Sequence, residues 1–345
     1  MTEKSSLTKQ KARSIRFRDS GLLIGCFCAF CLALILKNSD AAVEYVTRGL
    51  LLCAKVVIPS LFPFMVLSEL IVSGGTVNQI PKPLLAPLRR LLGLPDAGVC
   101  AVLLGLLCGF PIGAKCVLSA YQKGFLSKDE AERALTCSSG PSSAFLIGAV
   151  GVSLWDNRRF GVALYLTVLA VSLLTGMLAN GLQKKSLPSV AMPSPQWTTE
   201  ESPMGRAAQF CNAVKSSLSG ILLVCAYVVF FSALSGTFQL VLNEQSIPSG
   251  ISAFLSCVLE ISGGVGQASA LGNAHIGAYL CAFAAGWSGI SVHCQMLAVC
   301  ENSALSLRPY FFSKLFQGLL CALIFGLLLS VFPELMLPAE FCGKS

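Results

Sequence analysis

Apolar residues in this chain fall into long runs separated by short polar stretches. The runs cover residues 20–37, 49–73, 97–122, 137–154, 160–182, 218–242, 252–271, 275–299 and 311–333. One helical crossing of a bilayer needs about 20 predominantly apolar residues. The pattern therefore predicts an all-α polytopic membrane protein, held in the membrane by many apolar helices.

The composition supports this prediction. Of 345 residues, 54% are hydrophobic and 12% are charged, and the mean hydropathy is +0.72. A soluble domain carries about twice that charged fraction. Little of the chain remains for a soluble domain, so we expect a multi-pass protein whose surroundings are lipid.

Residues 1–19 form a basic arm ahead of the first apolar run, 20–37. The positive-inside rule places this arm in the cytoplasm. A signal peptide would begin similarly, but Leu22–Leu36 is long and no small-residue cleavage site clearly follows it. The net charge of +8 thus indicates orientation and lipid contact rather than nucleic-acid binding.

The 16 cysteines are scattered through apolar runs, where they serve as small hydrophobic residues. Cys28 and Cys31 have redox-motif spacing, but no second pair accompanies them. No hydrolase or ATPase motif and no paired carboxylates are present. We expect no metal, no cofactor and no enzymatic activity.

A polar, proline-containing linker, 183–206, divides the chain into two halves. The first half spans 43–182, the second spans 207–333, and a short tail, 334–345, follows. In each half, an apolar run ends in a glycine-aromatic break followed by a basic side chain, at Gly109–Lys115 and at Gly286–His293. Internal repeats in membrane proteins are typical of transporters.

Basic residues test the orientation of the two halves. If 97–122 is a re-entrant hairpin around Pro111, the basic residues between runs fall mostly on the cytoplasmic side, and the halves form an inverted repeat. Arg158, Arg159 and Arg308 would lie outside, against the rule. The sequence thus predicts a transporter-like bundle with broken helices and re-entrant hairpins.

The break at Gly109–Lys115 has the composition of a solute site. Pro111 interrupts a helix, and Gly109 and Gly113 allow close approach of the backbone. Lys115 adds a positive charge beside a helix start, which favours an anion. A lysine snorkelling to the membrane surface is the alternative interpretation of Lys115.

Other helix breaks supply polar side chains that could bind the same anion. The stretch Ser138–Ser143 surrounds Gly140-Pro141 with hydroxyls, and either a wet cavity or a plain loop would have this sequence. The candidate binding residues are Gly109, Pro111, Gly113, Lys115, Ser138, Ser139, Ser142, Trp287, Ser288, Ser291, His293 and Gln295. His293 is equally compatible with an ordinary interior position.

Two acids, Glu69 and Glu260, lie at membrane depth in the sequence pattern. Each is a candidate for carrying a proton or coupling ion or for pairing with Lys115, and each is equally compatible with a helix cap or an interfacial position.

Several segments resemble those of a known family. They are Ile58–Phe64 with Ser68 and Glu69, Cys108–Lys115, Leu126–Glu132, Ser138–Pro141 with Gly148–Gly151, Leu259–Gly264 and Trp287–Gln295. Together they resemble the YlbJ-type (SpoVV-type) sporulation integral membrane proteins, which belong with the nucleoside recognition or gate-domain proteins. Ser138-Ser139 departs from the asparagine-rich sequence expected there, and the linker is short.

This resemblance implies a role in endospore formation, with dipicolinic acid moved across the outer forespore membrane; the bacterial cell membrane is the other location. A gate-domain nucleoside or nucleobase transporter and a non-transporting membrane scaffold remain the alternatives. The partners implied are a small-molecule anion and the bilayer, and a homo-oligomer is compatible with the sequence.

Overall fold

The computed structural model describes residues 25, 26, 28–73, 82–181 and 205–336. Helices form nearly all of these residues, which confirms the all-α polytopic membrane protein. Within them, 4 helices are long and apolar enough to cross a membrane, or up to 6 spans if each sharply bent pair counts as one. The basic arm, almost all of the linker and most of the tail lie outside the described residues.

The first half begins with α1 (Cys28–Lys37) and α2 (Ser39–Leu52), which continues through a π-turn, Cys53–Val57, into α3 (Ile58–Ser73). It then contains α4 (Lys82–Leu92), α5 (Asp96–Cys108), α6 (Ile112–Gln122), α7 (Lys128–Cys137), a π-helix (Ala144–Leu154) and α8 (Arg158–Gly181). Ser127 and Glu130 form a capping box that starts α7.

The second half begins with the long helix α9 (Arg206–Glu244). It continues with α10 (Ser249–Leu259), α11 (Ile261–Ser269), α12 (Ala274–Trp287), α13 (Gly289–Cys300) and α14 (Arg308–Val331), and a 3-10 turn (Pro333–Met336) follows. The expected runs 160–182, 218–242 and 311–333 thus correspond to α8, part of α9 and α14.

The chain reverses between α5 and α6, as expected around Pro111. A Cβ placed on Gly113 would lie 2.7 Å from the Cα of Gly105 and 2.0 Å from the carbonyl oxygen of Ser138. Residues eight positions apart meet only if the two helices fold back on each other. Gly113 carries no side chain because two backbones occupy the space that a side chain would need.

Two expected spans differ in the structure. The run 252–271 is a second hairpin, α10 and α11, which reverses at Glu260 and packs Gly264 against Cys257. The run 137–154 contains the last residue of α7, an irregular stretch and the π-helix. Apolar composition is the same for a straight span and for a folded-back pair, so composition alone did not distinguish them.

The order of elements reveals a different repeat from the one expected. Each half contains a hairpin, then an interrupted helix, then a long unbroken helix: α5/α6, α7/π-helix and α8, followed later by α10/α11, α12/α13 and α14. The Gly109 break therefore corresponds to Glu260, and not to Gly286–His293. The interrupted helices share a Ser-Gly-x-Ser sequence at their breaks, Ser139–Ser142 and Ser288–Ser291.

Candidate functional site

The four helix breaks converge on one small cavity of about 40 Å³. Phe110 comes from the α5/α6 break, Ser142 from the break before the π-helix, Glu260 from the α10/α11 break and Ser291 from the first turn of α13. An apolar wall completes the cavity, formed by Val56, Val57, Leu61, Val224 and Val228. The cavity thus lies between the two halves of the chain.

Four of the residues that line this cavity lie at or next to the start of a helix. Phe110 and Pro111 precede α6, Ser142 precedes the π-helix, Glu260 caps α11, and Ser291 lies in the first turn of α13. The first backbone N–H groups of a helix have no partner within it and carry a positive partial charge. The cavity is therefore bordered by four helix starts, and at Phe110 and Glu260 the preceding helix also ends there.

Contacts between the breaks hold this arrangement together. The Phe110 N–H donates to the carbonyl of Gly140 at 2.9 Å, and Gly109, with φ +83°, packs against the backbone of Ser142. In the second half, Gly289, with φ +84°, packs against the backbone of Glu260. Each hairpin tip therefore lies against the interrupted helix of its own half.

Glu260 is the charged residue of the cavity. Its side chain is buried, and its carboxylate accepts hydrogen bonds from the N–H groups of Ser262 at 2.9 Å and Gly263 at 2.6 Å. It thereby caps α11, which is one of the roles that the sequence left open for it. The carboxylate occupies the positive end of α11, and the starts of α6, the π-helix and α13 have no such acid.

Glu260 also lines a second, larger recess of about 460 Å³. Tyr45 and Arg48 of α2, Gln239 of α9 and Gln267 of α11 form the polar part of its wall. Ser262 lines both spaces as well. Glu260 and Ser262 therefore form the partition between the recess and the cavity at the breaks.

Besides Glu260 and Ser262, the polar residues of the cavity are Ser142, Ser291 and Gln295. The Ser142 hydroxyl accepts the N–H of Phe145 at 3.2 Å and so starts the π-helix. The Oε1 atom of Gln295 is buried and has no hydrogen-bond partner in the described part of the chain. Gln295 is thus a side chain with hydrogen-bonding capacity left for a guest.

Lys115 lies in a different place from these residues. It lines a cavity of about 10 Å³ with Glu69, Ser68, Ser216 and Ser217. Its Nζ atom packs against Gly220 of α9, 2.5 Å from where a Cβ would lie. The structure brings Lys115 and Glu69 together, and separates both from the cavity at the breaks.

The α12/α13 break is held by contacts outside the cavity, which involve Trp287, Ser288 and His293. His293 Nδ1 lies 3.0 Å from the hydroxyl of Tyr310, and its ring meets Trp287 edge to face at 4.3 Å. Trp287 Nε1 donates to the carbonyl of Val258 at 3.1 Å. Ser288 holds the break with φ +76°. None of the three is among the residues that line the cavity.

Ser138 and Ser139 play a comparable part at the first interrupted helix. The carbonyl of Ser138 fits between Gly105 and Gly113, and the Ser139 hydroxyl contacts the sulfur of Met296 in α13 at 3.6 Å. These two serines therefore position the break, while Ser142 reaches the cavity.

Sequence reasoning missed a buried polar stripe on α14. Tyr310, Ser313, Lys314 and Gln317 are all buried, and they follow the i, i+3, i+4, i+7 spacing of one helix face. The sequence pattern predicted only an apolar run, 311–333, in this part of the chain. Lys314 could have indicated this stripe, because placing a charged side chain within an apolar membrane span costs free energy and such residues are commonly functional.

Comparison with known proteins gives one informative relative. The chain is 27% identical over 337 residues to the sporulation integral membrane protein YlbJ of Bacillus subtilis (strain 168), covering 89% of this chain and 82% of that protein. No protein-family model and no solved structure matches the chain.

Proposed function

We propose, from the premise that this chain belongs to the YlbJ-type sporulation integral membrane proteins, that it carries a small dicarboxylate during endospore formation. The substrate that we propose is dipicolinic acid, moved across the outer forespore membrane. The guest would bind in the cavity at the four breaks.

The observation that carries this proposal is the convergence of four helix starts on one cavity. Discontinuous helices whose N-terminal ends point at an anionic group are a recurring substrate site of secondary carriers. None of the four has an acidic side chain in its first turn, and only α11 has an acidic cap, Glu260. A carboxylate guest would meet a favourable helix dipole there.

The two spaces beside Glu260 support a carrier rather than an open channel. A cavity of about 40 Å³ has room for a few water molecules, and a planar dicarboxylate needs more. The recess of about 460 Å³ on the other side of Glu260 has that room. We propose that the guest first binds in the recess. The broken helices then separate, which enlarges the cavity at the breaks so that the guest can enter it.

The carboxylate of Glu260 affects how strongly a charged guest can bind. Its carboxylate would repel a dianion at close range, unless one of the two is protonated. We therefore propose Glu260 as the group that couples a proton to transport. Glu69, beside Lys115, is the second candidate for such a role.

A second candidate guest is a nucleoside or nucleobase. The carboxylate of Glu260 and the unpartnered Oε1 of Gln295 are both acceptors, and a neutral ring with N–H groups would pair with them.

Uptake into proteoliposomes separates these proposals. The purified full-length protein is reconstituted, and entry of labelled dipicolinate and labelled uridine is compared with entry into protein-free liposomes. We expect saturable dipicolinate uptake that unlabelled dipicolinate, but not uridine, competes away. Uptake of uridine alone would favour the nucleoside carrier, and uptake of neither would contradict both.

A further inference from the structure

Lys314 is the most deeply buried cation among the described residues. Its side chain has no exposed surface, and none of the ion pairs in the described part of the chain includes it. Its Nζ atom donates to Gln317 Oε1 at 3.1 Å and to the carbonyl of Gly286 at 3.4 Å. A buried ammonium surrounded by neutral oxygens needs a source of negative potential.

Two helix ends provide that potential. Gly286 lies in the last turn of α12, and Thr136 lies in the last turn of α7. The final carbonyls of a helix have no partner within it and carry a negative partial charge. Gln317 connects the second end to Lys314, because its Nε2 atom donates to the Thr136 carbonyl at 2.7 Å.

The two helix ends that Lys314 and Gln317 contact are equivalent in the two halves. The interrupted helices α7/π-helix and α12/α13 occupy the same place in the element order, and Lys314 with Gln317 bridges the C-terminal ends of both first segments. Ser313 adds a second hydrogen bond to Thr136, at 3.2 Å. One stripe on α14 thus ties together the two interrupted helices of the repeat.

Such helix ends are where many carriers bind a metal cation. Carbonyls at the C-terminal ends of discontinuous helices coordinate Na⁺ in secondary carriers. Here the same kind of oxygens, two backbone carbonyls and one amide, are already engaged by Lys314 and Gln317. A metal ion bound among them would lie next to the ammonium group of Lys314.

We propose that Lys314 is a tethered cation that takes the place of a coupling metal ion between the ends of α7 and α12. It follows that the carrier works without sodium, and this second statement rests on the transport function proposed above. Lys314 is a positioning residue, since it acts on the helix ends and does not line the cavity at the breaks.

Thermal unfolding of the purified full-length protein tests the structural part without any substrate. The wild type should unfold at the same temperature in sodium chloride and in choline chloride. Lys314→Met, which keeps most of the volume and removes the charge, should lower the midpoint by about 5 °C or more. Lys314→Ala should be equally unstable, and propylammonium or Na⁺ should restore part of the loss.

Rescue by a cation distinguishes a charge site from simple packing, because a packing defect does not respond to cations. Lys115→Ala is the matched control, and the same cations should leave its midpoint unchanged. A sodium-dependent rise in the wild-type midpoint, a Lys314→Met protein as stable as the wild type, or a Lys314→Ala protein that no cation stabilises would overturn the proposal.

Transport adds a test that needs no variant. If dipicolinate enters proteoliposomes, its rate should be the same with a sodium gradient and with a choline gradient. A sodium-driven rate would overturn the sodium independence while leaving the proposed substrate intact. If the wild-type protein transported no dipicolinate in either gradient, that result would count against the proposed function. The unfolding data would still decide the role of Lys314.

Discussion

Glu260 and Gly289 join the two broken elements of the second half. A Cβ on Gly289 would lie 3.1 Å from the Cα of Glu260, and Gly289 has φ +84°. The residue that starts α13 therefore packs directly on the residue that caps α11. The starts of α11 and α13 both reach the cavity because the α10/α11 break and the α12/α13 break are in contact.

Replacing Gly289 with alanine should loosen this contact. A side chain at positive φ costs about 1–3 kcal/mol, and the added methyl would press on the Glu260 backbone. We expect Gly289→Ala to lower the unfolding temperature of the purified protein. Gly250→Ala is the control, because nothing lies within 4 Å of a Cβ at that position in α10; equal stability of the two variants would contradict the close contact.

The hairpin tip of the first half should be at least as sensitive. A Cβ on Gly113 would lie 2.0 Å from the carbonyl oxygen of Ser138, which is backbone and cannot rotate away. We expect Gly113→Ala to yield little folded protein by size-exclusion chromatography. Gly148→Ala, whose Cβ meets nothing within 4 Å, should elute like the wild type, and normal elution of both would show that α5 and α6 are further apart.

Glu260→Gln should change binding and turnover in opposite directions. The amide retains an oxygen that can accept from an N–H at the start of α11, so the protein should fold. Without the negative charge, dipicolinate should protect the protein from thermal unfolding at lower concentrations than in the wild type. Uptake should fall at least about tenfold, the equivalent of 1.4 kcal/mol, because the proposed proton site is lost.

Glu260→Ala provides the matching structural control. It removes the helix cap as well as the charge, which costs about 1 kcal/mol at a typical cap. Its unfolding temperature should therefore lie below that of Glu260→Gln. If Glu260→Gln bound dipicolinate no more tightly and transported it as fast as the wild type, Glu260 would be a cap and nothing more.

Much of the fold was predictable from the sequence. Apolar runs located α8 and α14, and glycine, proline and serine located the breaks at Gly109–Pro111, Ser138–Ser143 and Trp287–Gly289. These signals are local, because they depend on the backbone preferences of single residues and on length.

What the sequence did not reveal depends on which faces of the helices meet. Lys115 follows Pro111 by one helical turn, yet its side chain lies beside Glu69 and α9 rather than at the cavity. Nearness in sequence to a break does not determine the direction in which a helical side chain points. A helix cap was one role that the sequence left open for Glu260, but the apolar composition of 252–271 did not indicate that the chain folds back there.

The central claim is that the cavity at the four breaks, and not the cavity around Lys115, binds the dicarboxylate. The most direct measurement is dipicolinate protection against thermal unfolding in Gln295→Leu and in Lys115→Met, compared with the wild type. We expect Gln295→Leu to fold and lose most of the protection, and Lys115→Met to keep it. Full protection of Gln295→Leu together with none in Lys115→Met would contradict the account.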